Sequence, residues 1–195
     1  MKKRMLTMGL IICFCLAMCL TLETTVEAKT VHWNGYVFDV LDYTCWDKGG
    51  HIDWEYEGNV FGKHIKKAAA KWNTEASAIT VSRCKSIFRK DTSTTVCDVT
   101  IDDYNKNDGI NAYLSTNIRG FGDMRLNRYY MNSNNMTRLT KIAVITHEFG
   151  HALGMDDSNS KKTIMYKSTP VVNGLQKIDS AALEYLMRSH TGYWG

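Results

Sequence analysis

The sequence has a single proline, Pro170, in 195 residues. It also lacks any Ser-rich stretch, any internal repeat and any block of like charge. These absences leave no linker between domains and no solenoid, so one compact unit is the simplest reading. No basic stripe interleaved with aromatics is present, and a nucleic-acid partner is not expected. The apolar share of 44% and the charged share of 23% exclude a disordered chain.

What is present begins with a basic start, Lys2, Lys3 and Arg4. Met5 to Leu22 is apolar except for Thr7, Gly9 and Thr21, and Val26-Glu27-Ala28 closes the segment. This order reads as a secretory signal peptide, residues 1–28, cut after Ala28. An uncleaved anchor is the alternative. Met18 before Cys19 disfavours a lipoprotein. The expected product is a secreted, extracellular protein with no lasting membrane span. Removing 28 residues from 195 leaves 167, enough for one domain with a sizeable core. The net charge falls from +4 to +3 with the loss of three basic and two acidic residues. Cys13, Cys15 and Cys19 leave with the signal, and Cys45, Cys84 and Cys97 remain. Export permits disulfides. Cys84 and Cys97 flank a polar segment, Lys85 to Val96, that reads as a connection between strands. They form the expected disulfide, with Cys45 left over.

Along residues 29–195, Tyr36 to Tyr43 and His51 to Tyr56 read as strands. A helix follows, capped by Asn59, with Phe61, Ile65, Ala68, Ala69, Trp72 and Ala76 at helical spacing. Ile79 to Arg83, Cys97 to Asp102, Ile110 to Leu114 and Met124 to Tyr130 read as further strands. A second helix spans Thr137 to Leu153, with Leu139, Ile142, Ala143, Phe149 and Leu153 as its apolar face. Gly154 ends it at a position that favours positive φ. A last helix follows Asp179. The class is α+β, a sheet packed on two helices.

The second helix carries His147-Glu148-Phe149-Gly150-His151. Residues four apart share a helix face, so both imidazoles can reach one metal ion. Glu148 projects beside that ion and can take a proton from water attacking a carbonyl. This is the pattern of a helix-borne zinc hydrolase. The competing reading is a surface helix that happens to hold these residues. Three features reduce it: the helix is amphipathic, Gly154 stands three residues after His151, and Asp157 stands three after that.

The run His147 to Asp157, His-Glu-Phe-Gly-His-Ala-Leu-Gly-Met-Asp-Asp, resembles the extended zinc signature of the metzincins. Within them it is most similar to the matrixins, the family of the matrix metalloproteinases, and to their small bacterial relatives. Ile164-Met165-Tyr166 resembles the family's Met-turn. Asp98 to Asp102, Asn111 to Leu114 and Gly122 to Asn127 resemble its third, fourth and fifth strands. The resemblance implies a metzincin-like catalytic domain with a mixed five-stranded sheet on two helices. It implies a zinc helix followed by the Met-turn and a C-terminal helix.

Three departures qualify what the resemblance implies. Matrixins place a third histidine where this chain has Asp157, and snapalysins are similar to this chain in having aspartate there. A carboxylate oxygen binds zinc at about the imidazole distance, so His147, His151 and Asp157 are the implied ligands. Asp156 is an adjacent alternative ligand. Only His64 lies between Asp53 and Thr146 among the histidines, so a second, structural zinc is not expected. Asp102, Asp103 and Asp108 offer a weak case for calcium. Cys45 lacks the motif of a latency cysteine and reads as a buried thiol or disulfide partner.

Smaller features take the plainer reading. Tyr166 is a packing residue, and His32, His51, His64 and His190 lack partners at ligand spacing. Glu184 ranks below Asp157 as a third ligand. Trp33, Trp46 and Trp54 are packing residues, with a carbohydrate contact as the alternative. The implied function is a secreted zinc metalloendopeptidase, acting as a monomer on an extended protein or peptide substrate laid along Asn111 to Ser115. The segment Lys167 to Asn173 supplies the wall of its specificity pocket. The alternative is a secreted metal-binding interaction module with an inactive site. Retention of Glu148 favours the enzyme.

Overall fold

The structure is a computed structural model. It describes residues 28–47, 49–79, 86–91, 97–117, 119–133 and 136–190. The expected signal segment therefore lies outside the described residues, apart from Ala28.

The elements run β1 (Lys29–Trp33), β2 (Tyr36–Val40), β3 (Ile52–Tyr56), α1 (Gly62–Ala78), β4 (Phe88–Lys90), β5 (Val99–Tyr104), β6 (Ala112–Thr116), β7 (Gly122–Asn127), α2 (Arg128–Met131), α3 (Arg138–Leu153) and α4 (Lys177–His190). β1 and β2 form a separate antiparallel hairpin, turned by Asn34 and Gly35, both at positive φ. Two positive φ values are what a two-residue type I′ turn requires, and Asn-Gly supplies them at least cost.

The main sheet is mixed and five-stranded, in the order β4-β3-β5-β7-β6. All pairs are parallel except β6 with β7. β6 lies at one edge, and this exposes one row of its backbone groups.

The sheet packs on α1 and α3 around one core. Ile52, Trp54, Ile101, Met124 and Leu126 from the strands are all buried. They meet Ile65, Ala68 and Trp72 of α1 and Ile142, Ile145 and Phe149 of α3. Phe149 packs on Phe88 with ring centroids 4.3 Å apart. The buried Trp72 indole N–H donates to the Thr146 carbonyl at 2.9 Å and so ties α1 to α3. The resulting α+β domain matches the expected class.

Several local expectations are corrected. Asn59 does not cap α1; Phe61 holds the N-cap position without a side-chain bond. The Tyr56 hydroxyl takes over, accepting from Val60 N and Phe61 N at 2.8 Å each while donating to Asp103 at 2.8 Å. Leu139 is not on the apolar face of α3 but 55% exposed. β2 stops at Val40, because Leu41 N leaves the hairpin to bond Gly154 O. β7 gives way after Asn127 to α2, capped by the Asn127 side chain.

The expected connection between Cys84 and Cys97 contains β4, which pairs with β3. The expected strand Ile79 to Arg83 falls almost wholly outside the described residues, and Ile79 ends α1. α4 begins at Lys177, which puts Asp179 in its first turn and fully inside the protein.

Candidate metal centre

α3 starts at Thr137, whose hydroxyl accepts from Thr140 N. It ends at Gly154, with φ at 99° as expected. The left-handed turn there redirects the chain. Asp156 N then bonds Asp39 O, and the chain reaches Asp157.

His147 and His151, one turn apart on α3, bring their Nε2 atoms to 3.0 Å. Asp157 Oδ1 completes a triangle, and Asp156 is not part of it; its Oδ1 accepts from Asp157 N. Four-coordinate zinc with ligand distances of about 2.0–2.1 Å would space its donors about 3.3 Å apart. The three edges here measure 3.0, 3.3 and 3.6 Å.

The chemistry of the three atoms fits a cation. His147 Nδ1 lies 3.0 Å from Ile164 O, and His151 Nδ1 lies 2.9 Å from Met155 O. A carbonyl only accepts, so each Nδ1 carries the hydrogen and each Nε2 presents a lone pair. Two lone pairs and a carboxylate oxygen thus face one point. Such a group of acceptors repels itself unless a cation lies at its centre.

Electrostatics follow from burial and from this crowding. Burial lowers the His151 imidazole, with the neighbouring His147 adding to the effect. Burial also pulls His147 down, but Asp157, Glu148 and the Ile164 carbonyl outweigh it and raise its pKa. The His147 imidazole holds Asp157 below its ordinary value. Glu148 is buried, and desolvation lifts its carboxyl to about 7. A backbone N–H of Leu114, on the edge strand, bonds Glu148 and opposes that rise.

The trio opens into a cleft of about 380 Å³. One wall is the run Ile110 to Leu114. The other is Lys167 to Pro170, the first part of the expected pocket segment. Asn111 Nδ2 donates to Thr169 Oγ1 at 2.8 Å and joins the two walls. Met165 is 4% exposed and packs against α3 at Gly150. A Cβ built on Gly150 would stand 2.2 Å from the Met165 sulfur, so a larger residue there would have to displace the Met165 side chain. The Asn111–Thr169 bond and the Leu114 contact were not expected from sequence, because both join segments distant in the chain.

The remaining candidates stand apart from the trio. Glu184 bonds Asn34 and Arg188 on α4. Asp102 pairs with Arg125, Asp103 accepts from Tyr56, and Asp108 accepts from Ile110 N and Asn127. Trp46 donates to Leu153 O, Trp33 packs edge-on against Tyr185, and Trp54 is buried. Tyr166 is half-buried under Lys161. Cys45 and Cys97 are free thiols, and Cys84 lies outside the described residues.

An α+β domain whose helix offers two histidines and a glutamate to a cleft beside a sheet edge has the architecture of a helix-borne metallopeptidase. The matrixin family model matches residues 51–187, and the chain belongs to that family of zinc metallopeptidases. No curated protein matches it. Among solved structures, a chain of the GM1-bound form of the ECX AB5 holotoxin aligns with a TM-score of 0.53 and 13% identity. The alignment covers 71% of this chain and 80% of that one. At that identity the likeness is one of fold alone.

Proposed function

We propose that the protein is a secreted zinc endopeptidase in which His147, His151 and Asp157 hold the ion and Glu148 is the general base. The observation that carries this is the triangle of three acceptors at tetrahedral edge lengths, with Glu148 buried beside it. A bound zinc would polarise the scissile carbonyl and acidify the attacking water.

The chain's own residues do the rest. The exposed edge of β6 pairs with an extended peptide through main-chain hydrogen bonds. The Leu114 contact fixes the Glu148 carboxyl against that same strand. Glu148 accepts a proton from the attacking water and delivers it to the leaving amine. Burial lifts the Glu148 carboxyl to about 7 in the metal-free site, and a bound dication would lower it and favour the proton-accepting form. The Nδ1 bonds to Ile164 and Met155 keep both imidazoles oriented throughout.

The basic and apolar start, residues 1–28, supports export. Cleavage of casein or gelatin tests the function. Activity that a chelator removes and zinc restores is expected; no cleavage by the zinc-loaded protein would overturn the reading.

A further inference from the structure

The cleft has an asymmetry of charge that the peptidase reading leaves unused. Besides the two histidines it is lined by Glu148, Asp157 and Lys167. Lys167 is the one lysine or arginine among the described residues that line it. Its side chain is exposed and forms no ion pair among the described residues. A dication held by the trio would be offset by the carboxylates of Asp157 and Glu148. The Lys167 ammonium then remains as the uncompensated charge of the cleft.

The backbone of Lys167 is fixed although its side chain is free. Ser158 N donates to Met165 O at 2.6 Å, and Lys167 N donates to Ser158 O at 2.9 Å. This short ladder ties Lys167 to Ser158, the residue after Asp157, and the lysine charge acts on that carboxylate. The bond from Asn111 to Thr169 holds the same loop against the segment entering β6. Lys167 therefore belongs to the wall that faces the strand along which a peptide would lie.

We infer that the protein selects peptides with a carboxylate side chain beside the scissile bond, and that Lys167 is the residue that selects them. The inference rests on the peptidase reading and names its substrate class. An acidic side chain gains an ion pair in a cleft that excludes part of the solvent. A basic one meets repulsion there. Both effects are Coulombic and weaken with salt.

The test uses three peptides that differ only in Glu, Gln or Lys at the residues flanking the scissile bond. The zinc-loaded parent, Lys167→Met and Lys167→Glu are compared by kcat and KM. Binding of the Glu peptide is measured separately on Glu148→Gln, with and without Lys167→Met, at low and high salt. The parent is expected to favour Glu over Gln by about fivefold in kcat/KM, chiefly through KM. Lys167→Met should abolish that preference, and Lys167→Glu should turn it toward the Lys peptide. Equal rates for Glu and Gln in the parent, or a preference that survives Lys167→Met, overturn the inference alone. Failure of the parent to cleave any peptide overturns the peptidase reading. The binding arm then decides the inference by itself: salt-sensitive binding lost with Lys167→Met upholds charge selection, and unchanged binding rejects it.

Discussion

Gly150 and Met165 touch so closely that a Cβ on the glycine would stand 2.2 Å from the methionine sulfur and 3.0 Å from its methyl carbon. The contact joins the zinc helix to the turn whose Ile164 carbonyl orients His147. Helix propensity alone favours Gly150→Ala by about 1 kcal/mol. Overpacking a full core costs about 1–3 kcal/mol. Met165 is buried and has no solvent to move into, so the steric effect should win. Gly150→Ala is expected to lower the urea midpoint and loosen metal binding. A raised midpoint would show that Met165 is free to shift.

Asp157 and Asp156 are neighbours with different duties. Asp157 Oδ1 lies 3.3 Å from His147 Nε2, whereas Asp156 Oδ1 only accepts the Asp157 amide. Asp157→Ala should weaken zinc binding by about tenfold or more, and Asp156→Ala far less. Asp157→His should restore affinity and give the ion one more unit of positive charge. Competition with a chelating dye measures all three. A larger loss in Asp156→Ala would reverse the ligand assignment.

Tyr56 supplies the cap that α1 lacks in its own sequence. Tyr56→Phe leaves Phe61 N without its acceptor and removes the donor to Asp103. The expected loss is about 1 kcal/mol in chemical denaturation, that of an ordinary cap. Asn59→Ala should be nearly neutral. The reverse order would return the cap to Asn59.

Cys45 is 3% exposed, and burial followed by the charge of Asp98 pushes its thiol from 9.0 to about 12. The folded state therefore holds the proton more tightly than the unfolded state. The contribution is fully present below pH 9 and is lost as pH rises toward 12. At pH 8 the native thiol should resist a disulfide reagent and react promptly after unfolding. Rapid labelling of Cys45 in the native protein would contradict its burial.

How far these features were legible in the sequence depended on their range. His147, Glu148 and His151 were visible because helical spacing alone puts them together. Asp157 stood out by its spacing after Gly154, but its role as a ligand came only through family resemblance. Its approach depends on the turn at Gly154 and on the ladder from Ser158 to Met165 and Lys167, which is tertiary. β4 escaped notice because Ile87 and Phe88 are an isolated apolar pair in a polar stretch, and their strand exists through pairing with β3. β1 carried a local signal, the Asn34-Gly35 turn, that was open to reading. Asn59 misled because a better acceptor, the Tyr56 hydroxyl, reaches the same N–H groups from the preceding strand.

The central claim is that Glu148 moves the proton while the trio holds the ion. Glu148→Gln, measured for zinc content and for casein cleavage beside the parent, tests it most directly. The account predicts one zinc per chain in both proteins and a loss of activity of about a hundredfold or more in the variant. A variant that cleaves casein as fast as the parent would contradict the account.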